Sequence, residues 1–176
     1  MSRWLFSPAG LRTVRPPPWC SALVTLSIQV ARAGADAPDA SRLLEAYLVE
    51  LQQRLAPVPV DIVDRWADEF REPAGAVVLG RVEGRAVGCA GLRPLDEGTL
   101  ELKHFFLLPE VRGRGLGRVM LAGVEDVARD LGARRILLDT AAPLLEAASL
   151  YRSAGYRQIA RYNENPHAVA WFEGLL

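Results

Sequence analysis

The seven residues Arg112-Gly113-Arg114-Gly115-Leu116-Gly117-Arg118 stand between a long apolar stretch and an amphipathic one. Glycines let a chain turn tightly and aim consecutive backbone N–H groups at one point. A helix starting there adds the positive end of its dipole, and Arg112, Arg114 and Arg118 add charge. Together these groups suit a diphosphate; the plainer alternative is a solvated basic turn. The loop is not a Walker loop, since Gly-Lys-Ser/Thr is missing, nor a dinucleotide fingerprint, since its glycines miss the G-x-G-x-x-G spacing. Upstream, Glu101 and His104 could move protons, the imidazole titrating near neutral pH. Three positions apart on a regular strand, they are expected to point to opposite faces, so that only one can face a cleft. The alternatives are that Glu101 pairs with a nearby arginine and that His104 is structural.

The elements that must position these groups follow from hydrophobic periodicity. Residues 27–32 alternate as a half-buried strand does. Leu43, Leu44, Tyr47, Leu48, Leu51 and Leu55 recur at i, i+3, i+4, which predicts a helix over 39–55, capped by Asp39 or Ser41 and broken by Pro57 and Pro59. A second helix is predicted over 61–71, with Ile62, Val63, Trp66 and Phe70 on one side. Strands at 76–82 and 85–92 flank the turn Glu83-Gly84, and Asp96-Glu97-Gly98 turns into the longest strand, 99–108. Then come a helix over 116–131, a buried strand over 134–140, a helix over 144–153, a strand over 156–161 and a last strand over 168–172. The order β-α-α-β-β-β-α-β-α-β-β sets a three-strand meander before βαβ units. It predicts an α/β (α+β) fold with a mixed sheet and helices on both faces.

The 176 residues are half hydrophobic and 24% charged, which argues for one globular domain and against wholesale disorder. No run approaches the ~18 apolar residues of a membrane-spanning helix. With 21 basic and 21 acidic residues the formal charge is zero, so a globally basic nucleic-acid binder is not the first reading. The zero hides an asymmetry: Arg3, Arg12, Arg15 and Arg32 stand among 35 residues without an acid, and the remainder is mildly acidic. Pro8, Gly10, Pro16, Pro17 and Pro18 oppose regular structure near the start. Residues 1–26 are therefore read as a disordered extension or as chain upstream of the true start, and 27–176 as the domain. A targeting peptide, with Ala31-Arg32-Ala33 imitating a cleavage site, is the lesser alternative. Cys20 and Cys89 have no zinc-like spacing and read as reduced thiols of a cytoplasmic protein. Lys103 is the sole lysine, taken as an effect of composition.

A second motif follows the loop. Arg112-x-x-Gly115-x-Gly117 comes after a strand ending Phe106-Leu107-Leu108-Pro109. It is followed by Ala147-x-x-Leu150-Tyr151-x-x-x-Gly155-Tyr156. In this order and at this separation the pair resembles the GNAT superfamily of acyl-CoA-dependent N-acyltransferases, from about residue 27 onward. The resemblance implies a mostly antiparallel sheet of about six to seven strands. It implies that the backbone of Arg112, Gly113, Arg114, Gly115, Leu116, Gly117 and Arg118 wraps the CoA pyrophosphate. Main-chain groups of Phe105, Phe106 and Leu107 would pair with the pantetheine arm, beside a bulge that splays the fourth strand from the fifth. Tyr151 would set its hydroxyl near the thioester sulfur, where a phenol stays protonated until a thiolate needs a proton. Glu101 stands where many members carry a carboxylate that works through water to deprotonate the attacking ammonium; His104 and bulk water are the other candidates.

Where many members carry asparagine, this chain has Leu144, so a cofactor hydrogen bond is lost or is supplied by Thr140 or Glu146. The stretch from Tyr162 to Ala168 resembles one that borders the acceptor pocket in some bacterial members; a plain turn is the alternative. The implied function is transfer of an acetyl group from acetyl-CoA, as cosubstrate, to a primary amine of a small molecule or peptide, by direct attack in a ternary complex. The rival reading is a catalytically silent acyl-CoA-binding regulatory or interaction module. No metal, nucleic-acid or membrane partner is implied, and homodimerisation, frequent in the family, stays open.

Overall fold

The computed structural model describes residues 27–55, 66 and 68–176. Its strands are β1 Gln29–Ala33, β2 Ala76–Val82, β3 Arg85–Asp96, β4 Thr99–Leu107, β5 Arg135–Ala141, β6 Arg157–Ile159 and β7 Ala168–Leu175. They form one sheet in the order β1-β2-β3-β4-β5-β7-β6, and only the β4–β5 pair is parallel. The helices are α1 Pro38–Arg54, α2 Leu116–Asp130 and α3 Leu145–Ser153, with a 3₁₀ turn at Pro109–Val111. The mixed sheet and the α/β class are as the pattern predicts.

The helices cover both faces. Gly88 of β3 lies against Met120 of α2, and Gly91, an odd number of residues on, lies against Phe70 on the other face, the one α1 also covers. The α1 stripe buries Leu43, Leu44, Leu48 and Leu51 as its spacing requires. Its start differs from the prediction: Ala37 is the N-cap and Pro38 opens the first turn. Asp39, inside that turn, pairs with Arg81 and Arg42 instead of capping. Residues 1–26 lie outside the described residues, as does most of the helix predicted over 61–71. Within the latter, Trp66 and residues 68–69 are helical, and Trp66 and Phe70 are buried.

Two irregularities open the sheet. β4 pairs with β5 only through Thr99–Glu101, opposite Arg135–Leu137, so the rest of β4 has no strand partner on that side among the described residues. Against β3 the register shifts: Cys89 faces Phe106 but Gly91 faces Lys103, so His104 and Phe105 share one position opposite Ala90. His104 takes a left-handed φ of 52° there. A bulge of this kind bends a strand and sharpens its twist, and here it stands where β4 parts from β5.

Candidate active site

A cavity of about 610 Å³ occupies the gap between β4 and β5, bounded by α1, the β4–α2 loop, α3 and residues 165–167. At its loop end Gly113 and Gly115 have φ of 73° and 77°. A Cβ on either would meet nothing within 4 Å, so the backbone here is open to a ligand. Gly115 is also the N-cap of α2 and no side chain caps that helix. Its first-turn N–H groups and positive dipole end are the features an anion uses. The residues present thus fit a diphosphate. Leu116 is buried in the core and offers only its backbone, whereas Arg114 is exposed.

Arg112 does not supply the mobile charge expected of it. Its guanidinium grips Glu50 of α1 at 3.0 and 2.6 Å, donates from Nε to the Leu107 carbonyl at 2.8 Å, and lies over the Phe106 ring. It fastens the loop to α1 and to the end of β4. The hydrogen bonds from Arg112 hold Glu50 below the usual carboxylate range. Arg118 donates to the Ser153 carbonyl at 2.6 Å, tying the start of α2 to the end of α3. Phe105, Phe106 and Leu107 line the cavity on the stretch of β4 that β5 leaves unpaired.

Tyr151 is 5% exposed and reaches the cavity among the rings of Phe105, Tyr156 and Phe172. Burial, and then the charge of Asp139, push its pKa above that of a free phenol, so the hydroxyl is protonated at neutral pH. Tyr47 of α1 lines the same cavity and is shifted the same way, by burial first and then by Tyr151.

Glu101 is 1% exposed and is not among the residues lining the cavity. Its Oε2 accepts from Arg93 at 2.7 Å; its Oε1 accepts from Tyr162 at 2.9 Å and Asn163 at 3.1 Å, with Lys103 at 3.2 Å. Burial alone would raise its pKa, but Lys103 and Arg93 outweigh it and hold the carboxyl below its ordinary value. The pairing with an arginine, weighed beside a role as base, is what the geometry displays.

His104 and Glu101 do not point to opposite faces. Arg93 and Gly91 share the face of their cross-strand partners Glu101 and Lys103, and Phe70 packs on that face. The bulge turns His104 onto it as well, where its ring meets Tyr47, Trp66 and Phe70 at 5.6, 5.4 and 5.8 Å. Only glycine fits at position 91, since a Cβ would stand 2.5 Å from the Phe70 ring that backs the imidazole. Burial, reinforced by the charges of Lys103 and Arg93, pushes the His104 pKa down to about 3, so the ring is neutral. Between the unfolded value of about 6.5 and 3, the unfolded chain binds the extra proton. Stability therefore falls with falling pH, by up to about 1.4 kcal/mol per unit. His104→Asn, which tolerates a left-handed φ, should flatten urea-unfolding stability between pH 6 and 4; a slope like that of the wild type would contradict this assignment.

The site includes residues the sequence reading missed. Asp139 on β5 lines the cavity and accepts from Lys103 Nζ and Asn163 Nδ2, both at 2.6 Å, and from Asn165 Nδ2 at 2.8 Å. Lys103, set aside as a compositional accident, sits between Glu101 and Asp139. The signal was there: one lysine in the chain, inside an apolar strand, and one acid closing the run Ile136-Leu137-Leu138. Asn165, Pro166 and His167 border the cavity. Asn163 and Asn165 also accept backbone N–H groups two residues on, so this stretch is a turn as well as a wall. Of the two substitutes for the asparagine replaced by Leu144, Glu146 is taken up by Arg54, whereas the buried Thr140 hydroxyl has no hydrogen-bond partner among the described residues.

The sequence profile of the acetyltransferase (GNAT) family matches residues 41–156. An uncharacterized N-acetyltransferase of Schizosaccharomyces pombe is 32% identical over 146 residues, covering 80% of this chain and 88% of that one. Human N-acetyltransferase 8 is 35% identical over 103 residues, 56% of this chain and 45% of its own. Among solved structures, a GNAT-family acetyltransferase of Staphylococcus aureus superposes with a TM-score of 0.70 at 17% identity, covering 84% of this chain and 98% of that one. A GNAT-family acetyltransferase of Elizabethkingia anophelis with acetyl-CoA bound gives 0.63 at 19% identity, covering 85% and 98%. The chain belongs to the GNAT acetyltransferase family and is an acetyl-CoA-dependent acetyltransferase. Among the described residues no helix is long and apolar enough to cross a membrane.

Proposed function

We propose that the protein transfers the acetyl group of acetyl-CoA to a primary amine by direct attack within a ternary complex. The observation that carries this reading is one cavity shared by an open glycine loop at a helix N-terminus, an unpaired strand edge and a buried, protonated tyrosine. Backbone N–H groups from Gly113 to Gly117 and the N-terminal end of α2 hold the diphosphate, with Arg114 and Arg118 adding charge and Arg112 fixing the loop. Main-chain groups of Phe105, Phe106 and Leu107 hold the pantetheine amides. The ammonium loses a proton to water at the open cavity; the neutral nitrogen then attacks the thioester carbonyl. The C–N bond forms and the C–S bond breaks; the departing sulfur takes the Tyr151 hydroxyl proton, and the nitrogen gives up its second proton to water, from which the Tyr151 phenolate is reprotonated. Glu101 acts as a positioning residue, holding Lys103, Arg93 and Tyr162 behind the acceptor end.

Thr140 supplies the hydrogen bond that Leu144 cannot. An unpaired buried hydroxyl destabilises the free protein, whereas a hydrogen bond it makes to a ligand is worth about 0.5–1.5 kcal/mol. Thr140→Val should therefore raise the KM for acetyl-CoA about three- to tenfold and leave stability equal or higher. An unchanged KM would remove the hydroxyl from cofactor binding.

The direct test of the function is thiol release from acetyl-CoA across a panel of primary amines. Release that depends on an amine supports it. Acetyl-CoA binding without release across the panel would favour a silent binding module.

A further inference from the structure

We propose that Asp139 docks the ammonium group of the acceptor beside Tyr151, so that the protein selects acceptors that arrive as alkylammonium cations. This rests on the amine-acceptor reading above and names the group that holds that amine.

The two buried carboxylates at this end of the cavity differ in what they have left to offer. An ionised carboxylate accepts about four hydrogen bonds on its two oxygens. Glu101 is saturated, with Arg93 engaging Oε2 through Nε and Nη2 while Tyr162, Asn163 and Lys103 surround Oε1. It also has no face on the cavity. Asp139 does line the cavity; among the described residues its Oδ2 takes Lys103 and Asn163 while its Oδ1 takes Asn165 alone. One lone pair on Oδ1 is left for an N–H of a ligand.

The carboxylate is also held in place. Its donors come from β4 and from the turn before β7, so its orientation is fixed before any acceptor arrives. Asp139 lines the same cavity as Tyr47 and Tyr151. Lys103, 2.6 Å from Oδ2, offsets part of the carboxylate's charge. The ammonium is thus attracted without being held so strongly that it cannot lose its proton.

The test compares two small acceptors, n-butylamine, which is cationic at neutral pH, and methoxyamine, which is not. Asp139→Asn keeps the shape and an acceptor oxygen but removes the charge. It should raise the KM for butylamine about tenfold or more relative to the KM for methoxyamine, as expected for loss of a charge-assisted hydrogen bond. Equal loss with both acceptors would make Asp139 only a support for the 163–167 turn and overturn the proposal, as would no change with either. Should that variant fail to fold, Asn165→Ala strips the neighbouring donor and leaves the carboxylate. Butylamine should then bind as well as in the wild type or better, and a selective loss of the cationic acceptor would overturn the assignment. If the wild-type enzyme binds acetyl-CoA but releases thiol with no primary amine of the panel, the amine reading itself fails, and this inference with it.

Discussion

Tyr151→Phe is expected to lower kcat by about 10²-fold or more and to leave the KM for acetyl-CoA within about twofold, the pattern of a lost proton donor that acts only as the thiolate departs. The substitution is structurally mild. Phenylalanine keeps the ring among Phe105, Tyr156 and Phe172 and removes only the hydroxyl. Burial and Asp139 keep that hydroxyl protonated well above neutral pH, so the donor form is present throughout the working range. Tyr47 lines the same cavity and is protonated for the same reason, which makes Tyr47→Phe the control. Full turnover by Tyr151→Phe with a good acceptor would remove Tyr151 from the chemistry.

Glu101→Ala is expected to cost about 1–3 kcal/mol of stability, because it removes the carboxylate that lies between Arg93 and Lys103 and leaves them Glu69 and Asp139 as partners. The same residue shapes acid stability. Its native pKa lies below the ordinary value, so its contribution is complete above the unfolded value of about 4.3 and is lost as pH falls through the native one. Urea unfolding should show the wild type losing that increment below pH 4 and the variant lacking it. A variant as stable as the wild type, with turnover alone destroyed, would return Glu101 to the role of base.

What the sequence disclosed was local. The glycine loop and the Ala147–Tyr156 spacing are patterns a few residues long, and the family they resemble is legible without any knowledge of the sheet. The α1 stripe was legible for the same reason, although its start was not, because Pro38 at the first turn won over the capping preference of Asp39. The Glu101–Asp139 end of the cavity was hidden because it is assembled across strands. One inserted residue in β4 reverses the alternation and brings His104 to the face of Glu101. The partners of Glu101 come from β3, β4 and the stretch before β7, and Arg112 is claimed by Glu50, 62 positions away. Such pairings depend on register, and strand spacing alone cannot fix register where a bulge intervenes.

The most direct test of acetyl transfer within a ternary complex is an initial-velocity study with acetyl-CoA and an amine both varied. It should be combined with the intact mass of the enzyme after acetyl-CoA alone. Direct attack predicts intersecting double-reciprocal lines and an unmodified chain. Parallel lines with an acetylated enzyme would show a covalent intermediate and contradict the mechanism.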